Sequence, residues 1–124
     1  MMMLVDTSVW IDHLRMGDAR LADLLQAGLV CSHPMILGEL ACGNLKNRSE
    51  VLNLLSNLNP AIEANHNEVL QVIERYSLMG KGIGFVDAHL LAACMLTGET
   101  KLWTRDKRLA NVAHAIGLGY FEAN

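Results

Sequence analysis

The sequence predicts an α/β fold with a mostly parallel sheet that helices cover on both faces. Short apolar runs alternate with segments in which apolar residues recur at helical spacing, an order typical of parallel sheets. The first run, residues 1–5, stops abruptly at Asp6, Thr7 and Ser8 before the helical spacing begins. A buried parallel strand that ends in this way brings an acidic group to the edge of the sheet where such folds bind ligands.

The elements of the first half follow from breaks and periodicity. A helix is predicted after Asp6, with a break at residues 17–18, and an amphipathic helix follows that stops near Gly28. Residues 29–32 are apolar and predict a second buried strand. Pro34 favours the first position of the next helix, because that position needs no backbone N–H.

The second half contains four predicted helices separated by strands and one loop. The helices are predicted at 49–58, 65–79, 87–96 and 107–114, and the helix at 87–96 is apolar on nearly every side and therefore buried. Strands are predicted at 61–63, 101–104 and 119–122. The glycine-rich stretch 80–84 lacks the Walker spacing and a preceding strand, so it is interpreted as a connector.

Length and composition favour a single domain spanning residues 1–124. The hydrophobic fraction of 52% excludes an intrinsically disordered chain. No apolar run approaches the ~20 residues of a transmembrane helix, and no signal peptide is visible, so we expect a cytoplasmic protein without a membrane partner. Cys31, Cys42 and Cys94 lack the paired spacing of a zinc or redox motif and are expected to be reduced core thiols.

The charge balance bears on nucleic-acid binding. A formal net charge of −3 argues against a generally basic surface. Positive charge can still be local, and Lys101, Arg105, Lys107 and Arg108 form one basic cluster. The alternative interpretation of this cluster is a solvated helix face.

Four carboxylates are predicted to meet at the carboxyl edge of the sheet. Asp6 and Asp106 each follow a predicted strand. Glu39 lies roughly 7.5 Å into the helix that leaves the second strand, within reach of a long side chain that leans back. Asp87 begins a helix of ~15 Å that runs antiparallel to the next strand of ~13 Å, so its start lies level with the end of that strand.

Each acid also has an ordinary explanation. Asp6, Asp87 and Asp106 stand where helices begin, and Asp is a favoured helix cap. Considered by itself, Glu39 is interpreted as an exposed acid on a helix. Clustered carboxylates, however, repel one another unless a cation neutralises them or some become protonated. Because the cluster contains no Cys and no well-spaced His, its oxygen ligands favour Mg²⁺ or Mn²⁺ over Zn²⁺.

Four motifs resemble those of PIN-domain ribonucleases, and more narrowly those of the VapC toxins of bacterial and archaeal toxin–antitoxin modules. They are Leu-Val-Asp-Thr-Ser-Val-Trp-Ile-Asp at 4–12, Gly-Glu-Leu at 38–40, Gly-Phe-Val-Asp-Ala-His-Leu-Leu-Ala-Ala at 84–93 and Leu-Trp-Thr-Arg-Asp at 102–106. Each motif is modest alone, but together they cover essentially the whole chain in the order of the family.

The resemblance implies a three-layer α/β/α sandwich and divalent-metal-dependent RNA cleavage. It assigns catalysis and the binding of Mg²⁺ or Mn²⁺ to Asp6, Glu39, Asp87 and Asp106. Ser8 and Thr104 match the polar positions beside the first and last acids, and Thr7 is a further candidate of this kind. Thr104 falls on the same side of an extended segment as Asp106, so we expect its hydroxyl to orient that carboxylate.

The expected reaction is hydrolysis of a phosphodiester bond in structured RNA such as tRNA or rRNA. Water is the nucleophile, so the products carry a 3′-hydroxyl and a 5′-phosphate. Arg105, Lys107 and Arg108, beside Asp106, are candidates for contacts with RNA phosphates. The family arrangement further implies a homodimer and a cognate antitoxin protein.

Two other interpretations remain open at this point. A receiver-like signalling domain also has an acidic Mg²⁺ pocket, but it needs paired acids after the first strand and a Lys after the last strands. Here only Asp6 follows the first strand, and Lys101 lies at the beginning of its strand. The second alternative is a catalytically silent α/β binding module whose acids are only helix caps.

Overall fold

In residues 1–122, which the computed structural model describes, four strands form one parallel sheet. They are β1 (Met2–Val5), β2 (Val30–Ser32), β3 (Asn59–Pro60) and β4 (Thr100–Trp103). The order β3-β2-β1-β4 places β1 between two neighbours, so Leu4 pairs with Cys31 on one side and with Leu102 on the other. This central position explains why the first strand is apolar throughout instead of alternating.

The described residues form seven helices around this sheet. They are α1 (Thr7–Met16), α2 (Ala19–Gln26), α3 (Pro34–Ala41), α4 (Arg48–Ser56), α5 (His66–Arg75), α6 (Phe85–Thr97) and α7 (Lys107–Ala115). Helix α3 packs against α1 and α4, whereas α5 packs against α6, which also contacts β4. This is the α/β/α architecture that the sequence predicts. None of the described helices is long and apolar enough to cross a bilayer.

The core contains the residues that the apolar pattern indicates. Every residue of α6 from Ala88 to Cys94 is buried, which confirms the prediction of a helix enclosed on nearly all sides. Trp10 and Trp103 are each 1% exposed and pack in the core. Both indoles therefore contribute packing area and are not available as platforms for nucleotide bases.

The prediction for the cysteines is wrong at one position. Cys31 and Cys94 are buried, as expected, but Cys42 is exposed. Cys42 caps the C-terminus of α3 and lies outside the apolar face of that helix, which buries Ile36 and Leu40 in the core. A residue at a helix end has no fixed place on the apolar face, so its apolar neighbours in the sequence were misleading.

The third strand lies at Asn59–Pro60 and not at the predicted 61–63. Cys31 pairs with Asn59 and Ser32 with Pro60. One further bond, from the Ala61 amide to the Ser32 carbonyl at 2.9 Å, ends the ladder. β3 is the edge strand of the sheet, and a proline is tolerated there because its missing N–H costs no ladder bond on the open side.

Several other boundaries differ from the prediction, and α4, for example, ends at Ser56 instead of 58. Helix α5 ends at Arg75 instead of 79, and Ser77 just beyond it adopts a left-handed φ of 53° that a helix cannot continue through. Helix α6 begins at Phe85, two residues before the predicted 87. Residues 119–122 contribute a single parallel bridge, between Leu102 and Gly119, in place of a terminal strand.

Candidate active site

The four predicted acids come together at the carboxyl edge of the sheet. Asp6 follows β1, Asp106 follows β4, Glu39 lies in α3 and Asp87 in α6. Burial raises the pKa of the Asp87 carboxyl above its usual range, and the negative charges of the other three acids raise it further. The backbone N–H of Gly84 opposes this shift. Because carboxylates act on one another through their charges, the other three acids lie within electrostatic range of Asp87.

Asp6 stands at the capping position of α1, yet its side chain caps nothing. Its Oδ2 atom instead accepts hydrogen bonds from the hydroxyls of Ser8 at 2.8 Å and Thr104 at 2.7 Å. Asp6 is only 8% exposed, and burial of a carboxylate is costly unless hydrogen bonds compensate for it. The two hydroxyls therefore hold Asp6 in one orientation, and the ordinary explanation as a helix cap does not apply to it.

Thr104 and Ser8 join the end of β1 to the end of β4. The Thr104 hydroxyl donates to Asp6 and accepts from the backbone N–H of Asp106 at 3.1 Å. The Ser8 hydroxyl accepts from the backbone N–H of Arg105 at 3.0 Å. The expectation that Thr104 orients the Asp106 carboxylate is wrong, because its hydroxyl hydrogen points to Asp6 and it meets Asp106 only at the backbone.

The other three acids are each held by at least one hydrogen bond. Glu39 accepts from the Thr7 hydroxyl at 2.9 Å through Oε1. Asp87 is the third residue of α6 and accepts from the Gly84 N–H at 3.2 Å through Oδ2. Asp106 caps α7 through Oδ1, which accepts from two backbone N–H groups at 3.0 and 3.1 Å. The capping explanation thus applies to one oxygen of Asp106.

Each carboxylate keeps a second oxygen that receives no hydrogen bond from any described residue. These atoms are Oδ1 of Asp6, Oε2 of Glu39, Oδ1 of Asp87 and Oδ2 of Asp106. One oxygen of each acid is thus oriented by the protein while the other remains available. Oxygen donors of this kind suit a hard divalent cation such as Mg²⁺ or Mn²⁺ by their chemistry.

The four acids do not form a closed metal cage. In residues 1–122, no three side chains of His, Cys, Asp or Glu are grouped closely enough to hold a metal ion. A structural zinc or calcium site would require such a cage. Mg²⁺ usually keeps several waters and binds through one or two carboxylates, so it needs fewer direct contacts than those ions.

Arg105 is not free to contact RNA phosphates in this structure. Its guanidinium pairs with Asp12 at 2.7 Å, Asp18 at 2.6 Å and Glu122 at 2.7 Å. Although burial opposes the charged form, the hydrogen bonds with these three carboxylates raise the pKa of Arg105. Arg105 therefore ties the end of β4 to α1, to the start of α2 and to the C-terminal segment.

Lys107 and Arg108 are placed differently. Both side chains are exposed at the start of α7, and neither takes part in an ion pair within the described part of the chain. Their charges are therefore available to an anionic ligand beside Asp106. Contacts with RNA phosphates therefore stay a prediction for Lys107 and Arg108, whereas the Arg105 guanidinium is already paired with three carboxylates.

Three features of the site were not predicted from the sequence. The Gly84 N–H that orients Asp87 could have been anticipated, since an acid at the third helical position commonly bonds the capping residue. The partners of Arg105 had no local signal, because Asp12 and Asp18 lie 93 and 87 positions away. Thr7, a candidate because it follows Asp6, contacts Glu39 instead of Asp6.

Comparison with known proteins agrees with this geometry. The family model of the PIN domain matches residues 3–115, and the chain belongs to the PIN-domain family. Ribonuclease VapC32 of Mycobacterium tuberculosis, from the strains CDC 1551 / Oshkosh and ATCC 25618 / H37Rv, is 48% identical over 121 residues. The alignment covers 98% of this chain and 98% of that relative. The resemblance to VapC-type ribonucleases, predicted from four motifs, is therefore confirmed.

Proposed function

We propose that this chain is a metal-dependent endoribonuclease, the toxin of a type II toxin–antitoxin module, which hydrolyses phosphodiester bonds in structured RNA such as tRNA or rRNA. The similarity to Ribonuclease VapC32 along 98% of the chain supports an RNA-cleaving hydrolase. The requirement for Mg²⁺ or Mn²⁺ rests on the oxygen donors of the site and on the family, and the choice of structured RNA rests on the family alone.

The observation that carries the proposal is the orientation of Asp6. Two hydroxyls bond its Oδ2 atom, from Ser8 at 2.8 Å and Thr104 at 2.7 Å, so that Oδ1 remains available among the other acids. A carboxylate that served only to cap α1 would accept from a backbone N–H in the first turn of that helix, and Asp6 accepts from none of them. The arrangement is the one expected of a metal ligand whose orientation is set by neighbouring hydrogen bonds.

The acids divide into two roles in the proposed reaction. Asp6, Asp87 and Asp106 would hold a divalent cation, in part through the waters that such an ion keeps. When bound, the cation supplies an activated water and offsets negative charge on the phosphate. Glu39 uses Oε2 to hold a second cation or to take a proton from the attacking water as a general base, with Thr7 fixing its Oε1 atom at 2.9 Å.

The products follow from the nucleophile. Water adds to the bridging phosphate and the bond between phosphorus and the 3′-oxygen breaks, which leaves a 3′-hydroxyl and a 5′-phosphate. The RNA 2′-hydroxyl takes no part in this route, so no cyclic phosphate forms. Lys107 and Arg108 contact backbone phosphates on either side of the reacting bond, which offsets the repulsion between RNA and the acidic cluster.

We also propose the partners and location that belong to such a toxin. A cognate antitoxin protein holds the activity in check, the chain forms a homodimer and the protein acts in the cytoplasm. Exposed apolar side chains, among them Ile11 and Leu70, supply surface for protein contacts. Light scattering on the purified chain measures the dimer, and co-purification with the product of an adjacent short reading frame measures the antitoxin.

The central experiment measures RNA cleavage and its dependence on metal. The purified protein is incubated with total tRNA and with rRNA in Mg²⁺, in Mn²⁺ and in EDTA, beside the variants Asp6→Asn and Asp87→Asn. Asp23→Asn is the matched control, because Asp23 is an exposed acid on α2 and belongs to none of the contacts of the site. We expect metal-dependent cleavage by the wild type and the control, and a loss of at least about a hundredfold in both site variants.

Absence of metal-dependent cleavage, or full activity in both Asp6→Asn and Asp87→Asn, would contradict the proposal. A silent binding module would give the first of these results. A receiver-like domain would instead take up phosphate on an aspartate from a small phosphodonor, which intact-mass measurement detects. Membership of the PIN-domain family already argues against the receiver interpretation.

A further inference from the structure

A recess of about 420 Å³ lies between α7 and the segment that joins α5 to α6. Its volume falls within the range of about 300–1,000 Å³ that small-ligand pockets occupy. Both of its walls lead to the acidic cluster. The joining segment ends at Gly84, whose N–H bonds Asp87, and the N–H of Arg108 in the other wall bonds Asp106 at 3.0 Å. A chain of nucleotides bound at the acids would therefore pass this recess.

The side chains around the recess differ from those of an ordinary apolar hollow. Lys81 and Arg108 are exposed at its rim, and neither forms an ion pair within residues 1–122. Tyr76 and Asn111 add an aromatic ring and an amide. The floor is apolar and includes the buried Val112. Two free cations at one place are notable in a chain whose net charge is −3.

The glycine-rich stretch 80–84 shapes one wall of the recess. Gly82 has a φ of +80°, and a Cβ atom there would lie 2.5 Å from the Cδ of Arg108. The loop therefore rests directly on the aliphatic part of that arginine, which any side chain at Gly82 would displace. This close approach gives the stretch a role that a plain connector does not have, since it holds Arg108 and presents Lys81 beside it.

Tyr76 lies where this recess meets a second one between α5 and α6. The Arg75 guanidinium stands over the Tyr76 ring, 5.7 Å from its centre. Arg75 lines the second recess only, whereas Tyr76 lines both. Tyr76 is 37% exposed, so part of this residue is open to a ligand that also contacts Lys81 and Arg108.

We propose that this recess binds one unpaired nucleotide of the RNA substrate, next to the phosphate that is cleaved. The base stacks on Tyr76 over the apolar floor, Asn111 bonds an edge of the base, and Lys81 and Arg108 contact the adjoining phosphate. An aromatic face beside cations is the usual combination for single-stranded nucleic acid. The proposal rests on the proposed function and assigns this recess to one nucleotide of the bound RNA.

Binding without cleavage tests the recess independently of catalysis. Fluorescence anisotropy in EDTA measures the affinity for a fluorescein-labelled RNA of about twelve unpaired nucleotides with mixed sequence. The variants are Tyr76→Ala, Tyr76→Phe and the double variant Lys81→Gln/Arg108→Gln. Arg20→Gln is the control for loss of charge, because Arg20 lies on α2 and contacts Tyr120 instead of the recess. Thermal denaturation of each variant verifies folding.

The expected results distinguish contacts with the base from contacts with the phosphate. Tyr76→Ala weakens binding at least about fivefold, the lower end of what stacking of one base contributes, whereas Tyr76→Phe keeps the ring and the affinity. The double variant weakens binding and reduces the slope of log affinity against log salt by about 0.7 for each phosphate that the protein no longer neutralises. Arg20→Gln changes neither quantity, and a fully paired duplex binds more weakly than the unpaired RNA.

Three results of the RNA-binding measurements would overturn the proposal. They are wild-type affinity and salt slope in the double variant, an equal loss in Tyr76→Phe and Tyr76→Ala, and equal binding of duplex and unpaired RNA. Loss of antitoxin co-purification with RNA binding intact would assign the recess to the protein partner, which also overturns it. Failure of the proposed function is distinguishable, because it shows as absent metal-dependent cleavage by the wild type while the binding measurements in EDTA still stand.

Discussion

Removal of the Thr104 hydroxyl tests how the site positions Asp6. Thr104→Val keeps the shape of the side chain and removes the donor that lies 2.7 Å from Asp6 Oδ2. It also removes the acceptor of the Asp106 N–H, which lies 3.1 Å away. The Ser8 hydroxyl, at 2.8 Å, then remains as the partner of Asp6. With one of two bonds removed, the buried carboxylate can rotate away from the orientation that leaves Oδ1 available.

The size of the effect follows from burial and charge. Asp6 and Thr104 are each 8% exposed, and a hydrogen bond to a charged group contributes about 1.5–3 kcal/mol. We expect the free energy of unfolding to fall by about that amount. Loss of a side chain that orients a metal ligand typically costs about 10- to 100-fold in metal affinity or activity. This factor corresponds to a free-energy change of about 1.4–2.8 kcal/mol, which is similar in size to the expected loss of stability.

The assay compares Thr104→Val, directly after β4, with a matched variant at the start of that strand. Thr100 is 3% exposed and donates to the Gly98 carbonyl at 2.8 Å, so Thr100→Val also removes one buried hydroxyl. It lies at the opposite end of β4 from Asp6. Calorimetric titration with Mn²⁺ and RNA cleavage are measured for both variants, with thermal denaturation alongside. Thr104→Ser, which keeps the hydroxyl, is expected to retain most of the metal affinity.

The proposed role of Thr104 is refuted if Thr104→Val binds Mn²⁺ and cleaves RNA within twofold of the wild type. It is also refuted if Thr100→Val loses as much metal affinity as Thr104→Val, because the effect would then reflect general destabilisation. A loss of stability in both variants with a loss of metal affinity in Thr104→Val alone supports the proposed positioning of Asp6.

Three further predictions concern charge and burial. Because burial and neighbouring carboxylates raise the pKa of Asp87 above its usual 3.8, the ionised group destabilises the metal-free protein above its folded pKa. Asp87→Asn should add about 0.5–2 kcal/mol to the free energy of unfolding at pH 7 in EDTA, and denaturation at lower pH should show this gain shrinking towards pH 3.8. Arg105→Gln removes three partly exposed ion pairs, each of which contributes about 0.2–1 kcal/mol. Denaturant unfolding should therefore show a free energy of unfolding about 1–2 kcal/mol lower than that of the wild type, and the difference should shrink in high salt. Equal stability of variant and wild type at every salt concentration would contradict this. Burial raises the pKa of the Cys94 thiol to about 12, so this thiol should not react in the native protein. After treatment with a thiol reagent, mass spectrometry should find a single label, on the exposed Cys42. Labels on all three cysteines would contradict the assignment.

The elements that position the acids were predictable because their signals are local. The apolar run that forms β1 and the near-continuous apolar character of α6 can be seen in a few neighbouring residues. The placement of Asp6, Asp106 and Glu39 then follows from the direction of the chain, since parallel strands bring their carboxyl ends to one edge. The position of Asp87 could be predicted from the lengths of one helix and one strand.

The boundaries were less predictable where pairing with another element decides them. Residues 61–63 look more strand-like than Asn59–Pro60, but the register of the sheet sets Asn59 opposite Cys31. The early start of α6 depends on a hydrogen bond between Asp87 and Gly84 that no apolar pattern reveals. In each case a specific backbone contact outweighed the local preference.

By itself the sequence determined the α/β fold, the edge of the sheet that carries the acids and the family of the chain. Only the tertiary structure decided what each of those acids does with its two oxygens. Thr104 bonds Asp6 from 98 positions away, and Arg105 turns from the expected phosphates to three carboxylates of its own chain. The physical reason is that apolar periodicity reports burial over a few residues, whereas hydrogen-bond partners are chosen by which strand ends the completed sheet places side by side.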